Sequence, residues 1–104
     1  MTKETGMTTI ELTRFTVTED KVPELLAARP AMLKDFTEDR TGFLGARLIR
    51  LPNNEWLDIV EWTDPAAHTT SRTKGPNRPG IARFFAAIDT LISTEEGTTT
   101  DPST

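Results

Sequence analysis

The run Trp56-Leu-Asp-Ile-Val-Glu-Trp62 constrains the fold more than any other part of the chain. A period of two sets Trp56, Asp58, Val60 and Trp62 on one face of a strand and Leu57, Ile59 and Glu61 on the other. Both faces carry apolar side chains, so both need a cover; a strand open to water on one side would read apolar on one face only. One face also sets a carboxylate between two indoles, which points to a small, partly polar, aromatic-lined pocket under its cover. The run continues into Thr63-Asp-Pro-Ala-Ala-His68, where a capping residue followed by proline starts a helix. This stretch holds both tryptophans and the single histidine of the chain.

A chain of 104 residues is one domain with a modest core. Its net charge of −4 argues against a nucleic-acid backbone or an anionic membrane as the main partner. No apolar run approaches the roughly 18 residues of a membrane span, and no signal-peptide pattern is evident. The absence of cysteine removes a disulfide framework, a thiolate metal site and a cysteine nucleophile, and fits a cytoplasmic protein. One histidine cannot build a multi-histidine zinc or iron site within one chain. Neither a G-x-G-x-x-G motif nor a P-loop suggests a nucleotide site.

The expected organisation is a disordered lead-in over 1–7 with Met7 as an alternative start, one domain over 8–99, and a frayed tail over 100–104. Thr9 to Val17 reads as a strand, with Ile10, Leu12 and Arg14 on one face and Thr13, Phe15 and Val17 on the other. A helix follows from the cap Asp20, with Val22, Leu25, Leu26, Leu33 and Phe36 near the helical period. Pro30 interrupts it and predicts a kink or break near Ala28 to Pro30. Ala46 to Leu51 reads as a strand, and Pro52-Asn53-Asn54 as the hairpin connection to Trp56–Trp62. The helix begun at Pro65 weakens at the Lys74 to Gly80 loop. A second helical stripe runs through Ile81, Phe84, Phe85, Ile88, Leu91 and Ile92, before a short final strand from Ser93 to about Thr99. The order β-α-β-β-α-β predicts a ferredoxin-like α+β domain, a four-stranded antiparallel sheet with its helices on one face. Apolar residues on the other face predict a homodimer.

These features resemble the antibiotic biosynthesis monooxygenase family, a branch of the dimeric α+β barrel proteins. The resemblance covers about residues 8 to 99 and rests on four segments. They are Ile10-Glu-Leu-Thr-Arg-Phe15, Gly42-Phe-Leu-Gly45, Asp58-Ile-Val-Glu-Trp62-Thr-Asp-Pro-Ala-Ala67 and Ile81-Ala-Arg-Phe-Phe-Ala-Ala-Ile-Asp89. It implies a dimer whose sheets pack into a barrel, with a cavity between each sheet and its own helices. It also implies oxidation of a phenolic or polyketide-like aromatic by molecular oxygen, without metal or flavin. Relatives that degrade haem use a histidine late in the second helical region as iron ligand. Here that stretch reads Gly80-Ile-Ala-Arg-Phe-Phe85, and His68 lies a few turns too early, so haem is disfavoured and no cofactor is expected. The chain has no tyrosine, so any role a relative gives to a tyrosine hydroxyl is vacant.

Asp58 and His68 are the candidate catalytic residues. Asp58, expected to be partly buried, could take a phenolic proton, or could instead pair with Arg14 or Arg47 of neighbouring strands. His68 has a side chain suited to proton transfer near neutral pH, or is a plain helix-face residue. Trp62 is expected to stack on a flat substrate, or to pack between sheet and helix. Arg14 and Arg72 are candidate anion stabilisers, and Phe84 and Phe36 candidate cavity walls or plain core. Arg72, Lys74, Arg78 and Arg83 form a basic patch that could gate the cavity or simply be solvated. The function expected is a cofactor-independent monooxygenase. A non-catalytic dimeric ligand-binding protein and an isomerase or cyclase are the alternatives, since one scaffold hosts many functions.

Overall fold

The strand pairing places Trp62 opposite Thr9, Val60 opposite Glu11, Asp58 opposite Thr13 and Trp56 opposite Phe15. In a computed structural model, which describes residues 7–101, these pairs join β1 (Thr9–Thr16) to β3 (Glu55–Trp62). The remaining elements are α1 (Val22–Asp39), β2 (Phe43–Arg50), α2 (Pro65–Lys74), α3 (Pro79–Ala86) and β4 (Thr90–Thr98). The sheet order is β2-β3-β1-β4 with every neighbour antiparallel, the ferredoxin-like arrangement. Residues 1–6 of the expected lead-in and 102–104 of the expected tail lie outside the described residues. Among the described residues no helix is long and apolar enough to cross a membrane.

The two faces of the sheet differ as the alternation requires. Phe15, Trp56, Asp58, Val60 and Trp62 are buried beneath the helices. Ile10, Leu12, Leu57 and Ile59 share the opposite face and are only half-buried. The hairpin between β2 and β3 turns through Asn53 and Asn54, at φ 64° and 62°. Both lie in the left-handed region that an asparagine tolerates and a primed hairpin turn demands.

Besides the expected Asp20 cap, which instead lies in a 3-10 turn (Glu19–Lys21) with Lys21 at the cap position of α1, two expectations fail. Pro30 does not break α1, which runs continuously from Val22 to Asp39. The carbonyl deprived of its partner belongs to Leu26, an exposed residue, so solvent can satisfy it. The second correction concerns Leu91 and Ile92, which are not on a helical stripe. The α3 helix ends at Ala86, the amides of Ala87 and Ile88 close its last turn onto Phe84 and Phe85, and Asp89 N–H donates to Thr16 O at 2.8 Å. The chain is thereby tied to the sheet before Leu91, which pairs with Phe15 in β4. Apolar spacing alone could not show where sheet pairing takes over.

The helix layer is set by one close approach. A Cβ at Gly80 would lie 2.5 Å from the Ala31 carbonyl oxygen, so only glycine lets α3 start against the backbone of α1. The Gly80 N–H is received there by Asp35 Oδ2 at 2.7 Å, which satisfies a first-turn donor of α3 from the neighbouring helix.

Candidate active site

Between the helix-facing side of the sheet and the helices lies a cleft of about 330 Å³. Each wall follows from a local period. Strand β1 contributes Glu11, Thr13 and Phe15 at steps of two, α1 contributes Met32 and Phe36 one turn apart, and α3 contributes Phe84 and Phe85. Asp58 and Val60 complete the sheet side, and Arg40 and Arg72 are its basic members. The cleft is therefore mostly aromatic and aliphatic, with few polar groups, the composition of a small-molecule site.

Asp58 is in the cleft wall but already engaged. Arg29 of α1 donates Nη1 to its Oδ2 at 2.7 Å and Nη2 to its Oδ1 at 2.9 Å. The two side chains are 11% and 9% exposed, and the guanidinium also lies 5.2 Å over the Phe84 ring. Both carboxylate oxygens are thus committed to a planar, charge-assisted pair. The expected partners, Arg14 and Arg47, are corrected by strand parity. They stand opposite Leu57 and Ile59, on the far face of the sheet, where Arg14 pairs with Glu55 at 3.0 Å. Arg14 accordingly does not border the cleft.

Trp62 and His68 are also set back from it. Trp62 is fully buried among Phe36, Phe43 and His68, with the imidazole stacked at 6.1 Å and 17°. It therefore offers no open face to a substrate. Its Nε1 instead donates to Glu11 Oε1 at 3.0 Å. Thr13 Oγ1 donates to Glu11 Oε2 at 3.2 Å. His68 places Nδ1 2.7 Å from Glu96 Oε1 and Nε2 3.5 Å from Glu11 Oε2, the latter long for a hydrogen bond. Glu11 is thus the cleft carboxylate that no lysine or arginine reaches among the described residues.

The basic patch resolves into paired and unpaired members. Arg40 is buried, donating to Ser71 Oγ, Asp39 Oδ2, Asn77 Oδ1 and Gly75 O, with its guanidinium over Phe36. Lys74 and Arg78 also converge on Asp39. The Asn77 amide first, then Lys74 and Arg40, hold the Asp39 carboxyl at about 2, below its ordinary 3.8 and against the upward push of burial. The Lys74 to Gly80 segment is thereby clamped onto the end of α1. Arg72 and Arg83 have no ion-pair partner among the described residues, and of these two only Arg72 borders the cleft. The structure thus brings Asp58, Arg72, Phe36 and Phe84 together and leaves Arg14, Trp62 and His68 outside the cavity wall.

No protein-family model matches the sequence, and no curated protein matches it. Solved structures match it in fold. A protein of Bordetella bronchiseptica, provisionally named an antibiotic biosynthesis monooxygenase, superposes with a TM-score of 0.76 at 14% identity, over 91% of this chain and 98% of its own. SnoaB of Streptomyces nogalater, a cofactor-independent oxygenase, gives 0.63 at 23% identity, over 93% and 95%. A haem-degrading protein of Mycobacterium tuberculosis gives 0.63 at 21% identity, over 95% and 98%. The fold is that of the antibiotic biosynthesis monooxygenases.

The haem-degrading neighbour makes haem a fair question, and the residues here do not suit it. The only histidine is buried, stacked on Trp62 and held at Nδ1 by Glu96, so it presents no nitrogen to the cleft. Among the described residues no group of three or more His, Cys, Asp or Glu is placed to hold a metal ion.

Sequence reasoning missed Glu11, Arg29, Arg40 and Glu96. The signal for Glu11 was available, because it shares the parity of Thr13 and Phe15. Arg29 likewise falls on the α1 stripe of Leu25, Met32 and Phe36.

Proposed function

We propose that this chain is a monooxygenase without metal or flavin, oxidising an aromatic small molecule, phenolic or polyketide-like, with molecular oxygen in the cleft. The observation that carries the reading is Glu11, a carboxylate on the wall of an aromatic cleft, oriented by Trp62 and Thr13 and reached by no lysine or arginine among the described residues. Such a group can take the acidic proton of a bound substrate. The resulting anion is electron-rich enough to reduce oxygen directly. Phe36, Phe84 and Phe85 orient the ring and exclude water, and Arg72 at the cleft margin steadies the anion. Asp58 serves this site by fixing Arg29 and the helix layer. The fold shared with SnoaB, itself a cofactor-independent oxygenase, supports the assignment. We further propose a cytoplasmic homodimer in which a second copy covers Ile10, Leu12, Leu57 and Ile59; sedimentation as a monomer would remove that part.

The test is oxygen uptake by metal- and flavin-stripped protein with a panel of phenols and anthrones. Uptake is expected, and Glu11→Gln is expected to lower kcat by about 10²–10⁴-fold. Uptake no faster than in buffer, alongside saturable binding, would instead establish a non-catalytic dimeric binding protein. That second reading draws on the engagement of Asp58 and the withdrawal of His68, which leave Glu11 as the cleft carboxylate without a lysine or arginine partner among the described residues. Product formed without oxygen would indicate an isomerase or cyclase.

A further inference from the structure

Behind Glu11 lies a group that the reaction as described does not use. His68 is 2% exposed, and its Nε2 has no hydrogen-bond partner although it faces Glu11 Oε2. A buried ring nitrogen left without a partner is costly, and native structures rarely keep one without a reason. Its other nitrogen, Nδ1, is 2.7 Å from the Glu96 carboxylate, whose side chain reaches solvent at 44% exposure. The groups around the ring are Glu11 from β1, Trp62 from β3 and Glu96 from β4; no lysine or arginine pairs with either carboxylate among the described residues.

We infer that His68 is a proton store for Glu11, with Glu96 fixing the tautomer that makes storage possible. The inference rests on the reading of Glu11 as the base. An ionised carboxylate only accepts hydrogen bonds, so Glu96 keeps the ring proton on Nδ1 and turns the Nε2 lone pair toward Glu11. At rest that lone pair faces a carboxylate and gains nothing. It gains as soon as Glu11 carries a proton.

In an anthrone-type substrate the acidic C–H bond breaks, its electron pair stays on the substrate, and the proton goes to Glu11. The Glu11 O–H bond then breaks as an Nε2–H bond forms, leaving an imidazolium between two carboxylates. Glu11 is thereby ionised again while the substrate anion reduces oxygen and bonds to it. When the O–O bond breaks, one oxygen stays as the new carbonyl. The other leaves as water, carrying the stored proton and the second hydrogen of the oxidised carbon. The substrate is the reductant and oxygen the oxidant, with no net proton released. His68 is a positioning residue in this scheme, because it acts through Glu11.

The chain has a single histidine, so its imidazole nitrogen signals in untagged, 15N-labelled protein belong to one residue. The ring proton of the resting protein is expected on Nδ1, toward Glu96. A proton on Nε2, or on both nitrogens, overturns the inference. Glu96→Ala is expected to move the ring proton to Nε2, and an unmoved proton denies Glu96 its role. With an anthrone as probe, Glu96→Ala should lower kcat by about a hundredfold while KM stays constant, and an unchanged kcat overturns the store. The two readings separate cleanly. An Nδ1 proton without oxygen uptake leaves the tautomer set by Glu96 standing but removes the monooxygenase and the store with it, whereas an Nε2 proton with uptake removes the store alone.

Discussion

Breaking the Arg29–Asp58 pair should be among the most damaging single changes in this molecule. The pair joins α1 to β3 through two hydrogen bonds of 2.7 and 2.9 Å, at side-chain exposures of 11% and 9%. Removing one partner strands the other charge where water cannot replace the lost bonds, at a cost of about 3–5 kcal/mol. A domain this size holds only about 5–15 kcal/mol of stability in all. Asp58→Ala or Arg29→Ala should therefore lower the melting temperature by about 12 °C or more, at roughly 4 °C per kcal/mol. The pair itself contributes far less than that loss, because burying two charges offsets most of their attraction. Arg29→Met combined with Asp58→Leu should thus return to within about 1 kcal/mol of the parent, or exceed it.

Urea unfolding of the parent, Arg29→Met, Asp58→Leu and the double variant would measure both quantities. A loss below about 1 kcal/mol in the single variants, or no coupling between them, would refute the picture of a buried, mutually dependent pair. The same residue also tests the chemistry. Asp58→Asn keeps the shape of the carboxylate and should retain measurable turnover in any variant that folds. If it folds like the parent and loses all turnover while Glu11→Gln keeps it, Asp58 is the base and the role given to Glu11 is wrong.

Gly80→Ala should destabilise by about 1–3 kcal/mol in thermal melts, because its Cβ would meet the Ala31 carbonyl oxygen at 2.5 Å; an unchanged melting temperature would mean that α3 sits farther from α1. Asp39, held at about 2 against an ordinary 3.8, stabilises the fold fully above pH 3.8, and that contribution is lost as the pH falls toward 2. Asp39→Asn should therefore lower stability at neutral pH and shrink the difference from the parent in acid, as followed by denaturant unfolding across pH. Arg72→Gln should raise KM for an acidic phenol by about tenfold, worth ~1.4 kcal/mol, with little change for a neutral analogue; equal effects on both would remove its role toward the anion.

Much of the fold was legible because it depends on neighbours along the chain. The period of two in Trp56–Trp62 sorted the faces of β3 correctly, Asn53 and Asn54 marked the turn they make, and Asp64 caps α2 by receiving the Ala67 N–H at 2.8 Å. The failures came where local rules meet long-range ones. Pro30 obeys its rule by forfeiting a hydrogen bond, but the forfeited carbonyl belongs to Leu26, an exposed residue whose place is set by the rotation of α1 on the sheet. Leu91 and Ile92 fit the helical period yet belong to β4, because the Asp89 to Thr16 bond captures the chain for the sheet first.

The site shows the same limit more sharply. Glu11, Asp58 and Glu96 share one face of the sheet, and parity alone cannot rank three carboxylates as chemical groups. Their difference comes from across the layer. Arg29 occupies both oxygens of Asp58, Trp62 and Thr13 orient Glu11 without neutralising it, and Glu96 is left to hold the imidazole. Which carboxylate receives the guanidinium depends on how far α1 is translated over β3, and no spacing within either segment encodes that translation. The carboxylate engaged by arginine on this face is therefore set apart from the other two by a single helix contact. Arg29→Gln tests that dependence: in the protein that still folds despite the lost pair, Asp58 should become a second base in the cleft, with altered pH dependence of turnover as the readout.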